Sequence, residues 1–113
     1  MIPLKVAYSS KGGDSIFAIR QSDTINSHVL SANTPESDVV PAGATRVMFA
    51  VVPNGTDFFV KIADTETAAA INVVDVINGS ASEPNPAVRT VVPGQYVSII
   101  SATACKIYLS YFS

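Results

Sequence analysis

TRVMFAVVPNGTDFFVKIA, residues 45–63, alternates apolar side chains with others on both sides of a turn sequence. A period of two belongs to a strand, whose successive side chains point to opposite faces; a helix would show 3.6. In the first arm Val47, Phe49 and Val51 share a face. In the second Phe58, Val60 and Ile62 share one face, and Asp57, Phe59 and Lys61 take the other. Between the arms lies PNGT, where Pro53 presets φ for a turn and Gly55 is free to take positive φ. The unit expected from this stretch is a β-hairpin.

The same grammar extends in both directions. YVSII (96–100) and CKIYLSYF (105–112) predict a second hairpin turning at Ser101–Ala104, with Cys105, Ile107, Leu109 and Tyr111 inward and Lys106, Tyr108, Ser110 and Phe112 outward. An outer face holding two aromatics is unusually apolar for a solvated strand. IPLKVAY and SIFAIR, joined by a flexible SSKGGD, are shorter strand candidates, as is AVRTVV, closed by Pro93-Gly94. TETAAAINVV has room for one helical turn, but β-branched residues follow at once and no cap precedes it. Turn signals recur about every eight to twelve residues, the spacing of an antiparallel sandwich or barrel. The expected fold is all-β: one domain over residues 1–113, a small antiparallel, jelly-roll-like β-sandwich of about seven to eight short strands. Gln21–Gly43 is polar with weak alternation and reads as an extended excursion, so residues 1–40 are expected to include an N-terminal arm.

Composition narrows the class of function. Hydrophobic residues make up 48% of the 113 and charged ones 14%, against about 25% charged in a typical domain. So small a domain cannot hide that much apolar surface, which predicts a homo-oligomer, trimer or dimer, or a larger partner. The seven Lys and Arg residues are scattered, and a phosphate backbone needs several on one face, so no nucleic-acid partner is expected. No window approaches the ~20 apolar residues of a membrane span. The N-terminus shows no signal-peptide pattern, so synthesis in a cytosol is expected. Asn54-Gly55-Thr56 and Asn78-Gly79-Ser80 match the glycosylation pattern but read better as Asn-Gly turns.

Chemistry is sparse. His28 is the single histidine and Cys105 the single cysteine, too few for zinc and for an internal disulfide. Cys105 reads as a small buried hydrophobe, and His28 as a solvated loop residue. The carboxylate pairs Glu36/Asp38 and Asp64/Glu66 are spaced by two, so each points to one side, but neither brings the 6–8 oxygens calcium prefers. Both read as solvated turn residues. Catalytic, cofactor-binding and metal residues are each expected to be none, and the chain is not expected to be an enzyme. Carbohydrate binding is the rival reading: without a Trp, its sugar-stacking candidates are Tyr96, Tyr108 and Phe59.

VPAGATRVMFAV, TDFFVKI, VINGSASEPNPAVRTV, GQYVSIIS and the closing ACKIYLSYF together resemble a group of small tailed-bacteriophage virion proteins. In that group a PAGA turn leads into a strand, and a dGsaSExNPaxR passage precedes a final isiisaxaCxvxlsfy hairpin. The resemblance runs from about Val40 to Ser113 and does not reach residues 1–39. It implies a β-sandwich on the capsid surface, decorating or cementing the major capsid protein or another virion protein. It also gives a reading for SEPNP: Pro84 and Pro86 bias Glu83 and Asn85 toward extended backbone, making a stiff strap that lies over a sandwich edge or in a neighbour's groove. The expected contact residues are Tyr108, Phe112, Phe59, Pro84 and Pro86.

Overall fold

Ten strands follow one another in the computed structural model, which describes residues 1–11 and 14–113, without the side chains of residues 6–18. They are β1 (Val6–Lys11), β2 (Asp14–Ile19), β3 (Thr24–Leu30), β4 (Glu36–Val39), β5 (Arg46–Val52), β6 (Phe59–Ala63), β7 (Glu83–Pro84), β8 (Val88–Thr90), β9 (Tyr96–Ile100) and β10 (Cys105–Phe112). There is no helix among the described residues. β1 and β2 form a two-stranded antiparallel ribbon; the Gly12-Gly13 part of the expected flexible join lies outside the described residues. The other eight strands form two four-stranded sheets, ordered β3-β10-β5-β8 and β4-β9-β6-β7, antiparallel throughout.

This order pairs β3 with β10, β4 with β9, β5 with β8 and β6 with β7. Such a set of pairs is one long antiparallel ribbon folded over on itself, which is the jelly-roll arrangement. It overturns both expected hairpins. The turn after β5 is real: Thr56 N and Oγ1 donate to the Pro53 carbonyl at 3.3 and 2.8 Å, and Gly55 has φ of 90°. Yet β5 and β6 belong to different sheets, as do β9 and β10. Each turn is an arch across the sandwich. Alternation reports which face of a strand is buried, and both sheets bury their inner faces against one core, so the period is silent about sheet membership.

The core is built from the inward rows foreseen above: Val47 on β5, Phe58 and Val60 at β6, and Cys105, Ile107, Leu109 and Tyr111 on β10, joined by Leu30, Val97 and Ile99. Phe49 meets Phe58 across the sandwich at a ring-centroid distance of 6.1 Å. Phe112 corrects its expected outward placement: it is 2% exposed and lies outside the main core cluster. The N-terminal segment runs against this end of β10, with Ser113 N donating to the Ile2 carbonyl at 3.0 Å. A residue assigned to the outer face by parity is thus buried within its own chain.

A further layer lies over the second sheet. Ser98 and Ile100 are buried although the inward side of β9 is taken by Val97 and Ile99. The irregular segment 64–82 meets the sheet at Ser98, where Ala69 N donates to Oγ at 2.8 Å, and is closed on itself by Ala70 N donating to Ser82 Oγ at 3.0 Å. No helix forms at TETAAAINVV. The molecule measures 52 × 30 × 28 Å, with a radius of gyration of 15.6 Å, against about 13 Å for a compact chain of this length. Its surface of 6889 Å² likewise exceeds the roughly 5,900 Å² of a compact monomer.

Candidate functional site

The main surprise lies in Gln21–Gly43. Instead of an extended excursion, it supplies β3 and β4, the edge strands of the two sheets on one side of the sandwich. The alternation of β3 is inverted: Asn26 and His28 are the more buried side chains, while Ile25 and Val29 face out. Inverted polarity hid this strand from pattern reading.

The inward polar residues are answered by β4. Glu36 and Asp38, two apart, project to one face of that strand. His28 Nδ1 lies 3.1 Å from Glu36 Oε1, and its Nε2 lies 3.0 Å from Asp38 Oδ1. Asn26 Nδ2 donates to both Asp38 oxygens at 3.3 and 3.1 Å, and the Tyr111 hydroxyl donates to Asp38 Oδ2. His28 and the two carboxylates were expected to be solvated. Instead the side chains of His28 and Asp38 are 16% and 11% exposed, because they form a polar latch between the sheets.

For both carboxylates to accept from one imidazole, both ring nitrogens must carry hydrogen, so His28 is an imidazolium. Burial by itself would lower its pKa, but the hydrogen bonds and charges of Asp38 and Glu36 outweigh that and hold it above the ordinary value. Burial, followed by the Asp38 partner, pushes the Tyr111 hydroxyl far above its usual range, so it remains a donor. With both ring nitrogens occupied, His28 has no free lone pair to accept a proton. The two carboxylates sit on opposite sides of the ring, an arrangement that does not converge on a cation. Among the described residues no group of three or more His, Cys, Asp or Glu is placed to hold a metal ion.

The latch makes stability depend on pH. A histidine whose folded-state pKa is raised contributes stability that is complete below its ordinary value of about 6.5 and is lost as pH rises through the folded value. The melting-temperature gap between the parent protein and His28→Gln should therefore be largest near pH 6 and shrink toward pH 9. A gap that stays constant over that range would mean that His28 acts through shape alone.

The opposite side of the sandwich is closed by the strap around SEPNP. Glu83–Pro84 pairs with the edge of β6, placing Pro84 opposite Phe59, and β8 then pairs with the edge of β5. Asn85, between them, departs from the extended conformation expected before a proline, with φ of 47°. Its N–H donates to the Phe58 carbonyl at 2.9 Å, its Oδ1 accepts from Phe58 N at 3.0 Å, and its Nδ2 donates to Asp57 at 3.0 Å. Asparagine tolerates the left-handed region because such local bonds offset its strain. One residue past Pro86, the Ala87 carbonyl accepts from Phe49 N at 2.9 Å. The strap therefore clips both sheets.

The five expected contact residues do not converge. Tyr108 is half-buried on the first sheet, Phe112 is buried, and Phe59 and Pro84 lie side by side on the second sheet. Pro86, within the strap, is buried, so it is not free to touch a neighbour. Tyr96 and Phe59 sit at opposite ends of the paired β9 and β6, so they form no joint sugar platform. Phe59 lines a surface cleft with Asn54, Thr56, Asp57 and Thr103. Sequence reading passed over the tip of the draped segment: Val73, Val74 and Ile77 are 91%, 75% and 95% exposed. The only signal was an apolar run, NVVDVI, without a period. No family model, curated protein or solved structure matches the chain.

Proposed function

We propose that this chain is a non-enzymatic virion structural protein, a capsid decoration or cement protein that seats on neighbouring major capsid subunits, made in the host cytoplasm and carried on the capsid surface. The observation that carries this reading is the tip of segment 64–82. Three large aliphatic side chains stand almost fully in water on a segment whose base is bonded to the sandwich at Ser98 and closed on itself by Ala70 N donating to Ser82 Oγ. Full burial of each is worth about 1.5–3 kcal/mol, so the tip is suited to a partner surface. The likeness of Val40–Ser113 to phage virion proteins supports the choice of partner, and jelly rolls recur in viral capsid domains. The fold alone does not carry it, since lectins share it too.

In the test, purified protein is added to capsids that lack it, and bound protein is measured by co-sedimentation. Binding should be saturable and should raise the temperature at which the capsids open. Val73→Asp with Ile77→Asp should weaken binding by about a hundredfold or more without moving the protein's own melting temperature. Undiminished binding by that variant would remove the basis of the reading. The second reading, a carbohydrate-binding module, is favoured by the cleft that sets Phe59 beside Asn54, Asp57 and Thr103; glycan binding lost in Phe59→Ala would select it.

A further inference from the structure

The four edges of the two sandwich sheets are protected unequally. β7 has two residues, one of them Pro84, and β8 has three. β4 has four residues and carries the inward carboxylates Glu36 and Asp38. Short length, proline and inward-pointing charge are the usual devices that keep an edge from pairing with another chain. β3 has neither short length nor proline: it is seven residues long, TINSHVL, bonded on one side to β10, without lysine or carboxylate, and its one inward charge, His28, is paired with Glu36 and Asp38. Its outward side chains include Ile25, 44% exposed, and Val29, 69% exposed.

These two residues stand two places either side of Ser27. If a second copy approaches antiparallel with the two-fold axis at Ser27, Ile25 of each copy lies directly opposite Val29 of the other. Cross-strand pairs of β-branched residues are favourable, and here each covers the other's exposed surface. Thr24 meets Leu30, Asn26 meets His28, and Asp23, just outside the strand, meets Ser31, so the register opposes no like charges. We infer that the free edge of β3 is a self-association surface, joining two copies through antiparallel β3–β3 pairing about Ser27 into a continuous eight-stranded sheet. Such an interface is isologous and closed, so assembly stops at the dimer. It uses a different surface from the Val73–Ile77 tip and does not depend on the capsid reading.

The test needs only the purified protein. Sedimentation equilibrium should give twice the 11.8 kDa chain mass, and Val29→Lys should return a single-chain mass with a cooperative melt. Ser27→Cys should form a disulfide-linked dimer under mild oxidation, since directly opposed residues sit about 4.5–5.5 Å apart at Cα, within disulfide range. Val29→Cys should not, because the two copies of residue 29 are then four strand positions apart; Cys105 is buried and does not compete. Val73→Asp with Ile77→Asp should still dimerise. The inference is overturned by a single-chain mass at all concentrations, by a dimer that survives Val29→Lys, or by Val29→Cys cross-linking as readily as Ser27→Cys.

Discussion

Asp38→Ala is expected to lower the unfolding free energy by about 3–5 kcal/mol, the range for removing one partner of a buried ion pair. A domain of this size holds about 5–15 kcal/mol in all, so the variant should be near the limit of folding. The size follows from what the carboxylate does. Asp38 accepts from Asn26, from His28 and from Tyr111, whose hydroxyl lies deep between the sheets. Its removal strands three donors at once, one of them charged, where water has little access. Asp38→Asn keeps the shape but not the charge and should cost less, while Tyr111→Phe, which removes a single donor, should cost about 1 kcal/mol. Urea titration followed by near-ultraviolet circular dichroism separates these cases. A loss below that of Tyr111→Phe would show that the latch is ornamental and that the apolar core holds the two sheets unaided.

Asn85→Ala should cost about 2–5 kcal/mol, through two separable effects. Alanine strains the backbone at a φ of 47°, by about 1–2 kcal/mol, and it abandons the half-buried Phe58 N–H that the Asn85 side chain satisfies, at about 1–3 kcal/mol. Asn85→Gly relieves the first and keeps the second, so it should fall between alanine and the parent. Because the strap covers the edges of β5 and β6, the alanine variant should also exchange the Phe49 and Phe58 amide hydrogens faster and aggregate more readily through the uncovered edge. Unchanged exchange at both amides would mean that Pro84, Pro86 and β8 hold the strap without Asn85.

These two clasps, the latch on the β3/β4 side and the strap on the β7/β8 side, were unequally legible. SEPNP announced itself, because proline restricts backbone independently of context. Its course over a sandwich edge was foreseen as one of two alternatives, whereas the left-handed Asn85 was not, since its partner Phe58 lies 27 residues away. The latch was invisible. His28 looks solvated in a sequence where its neighbours are Ser27 and Val29, and nothing local says that Glu36 and Asp38 will face it.

The sequence by itself determined the strands of the core and their inward faces: Val47, Phe49 and Val51, Phe58, Val60 and Ile62, Cys105, Ile107, Leu109 and Tyr111. These follow from a period of two, which local sterics and solvent exclusion impose wherever one face is buried. It also determined the turns at Pro53–Thr56, Asn78–Gly79 and Pro93–Gly94, where glycines take the positive φ that L side chains avoid. Only the tertiary structure decided which strand pairs with which, and therefore that two apparent hairpins are arches. It alone decided that β3 wears its polar side inward, that Phe112 is buried within its own chain, and that Val73, Val74 and Ile77 are left in water. The physical reason is shared. Hydrophobic pattern and turn chemistry act over a few residues, whereas a strand's neighbour, a buried polar group's partner and an apolar residue's cover are supplied by chain tens of residues away, whose placement no local period records.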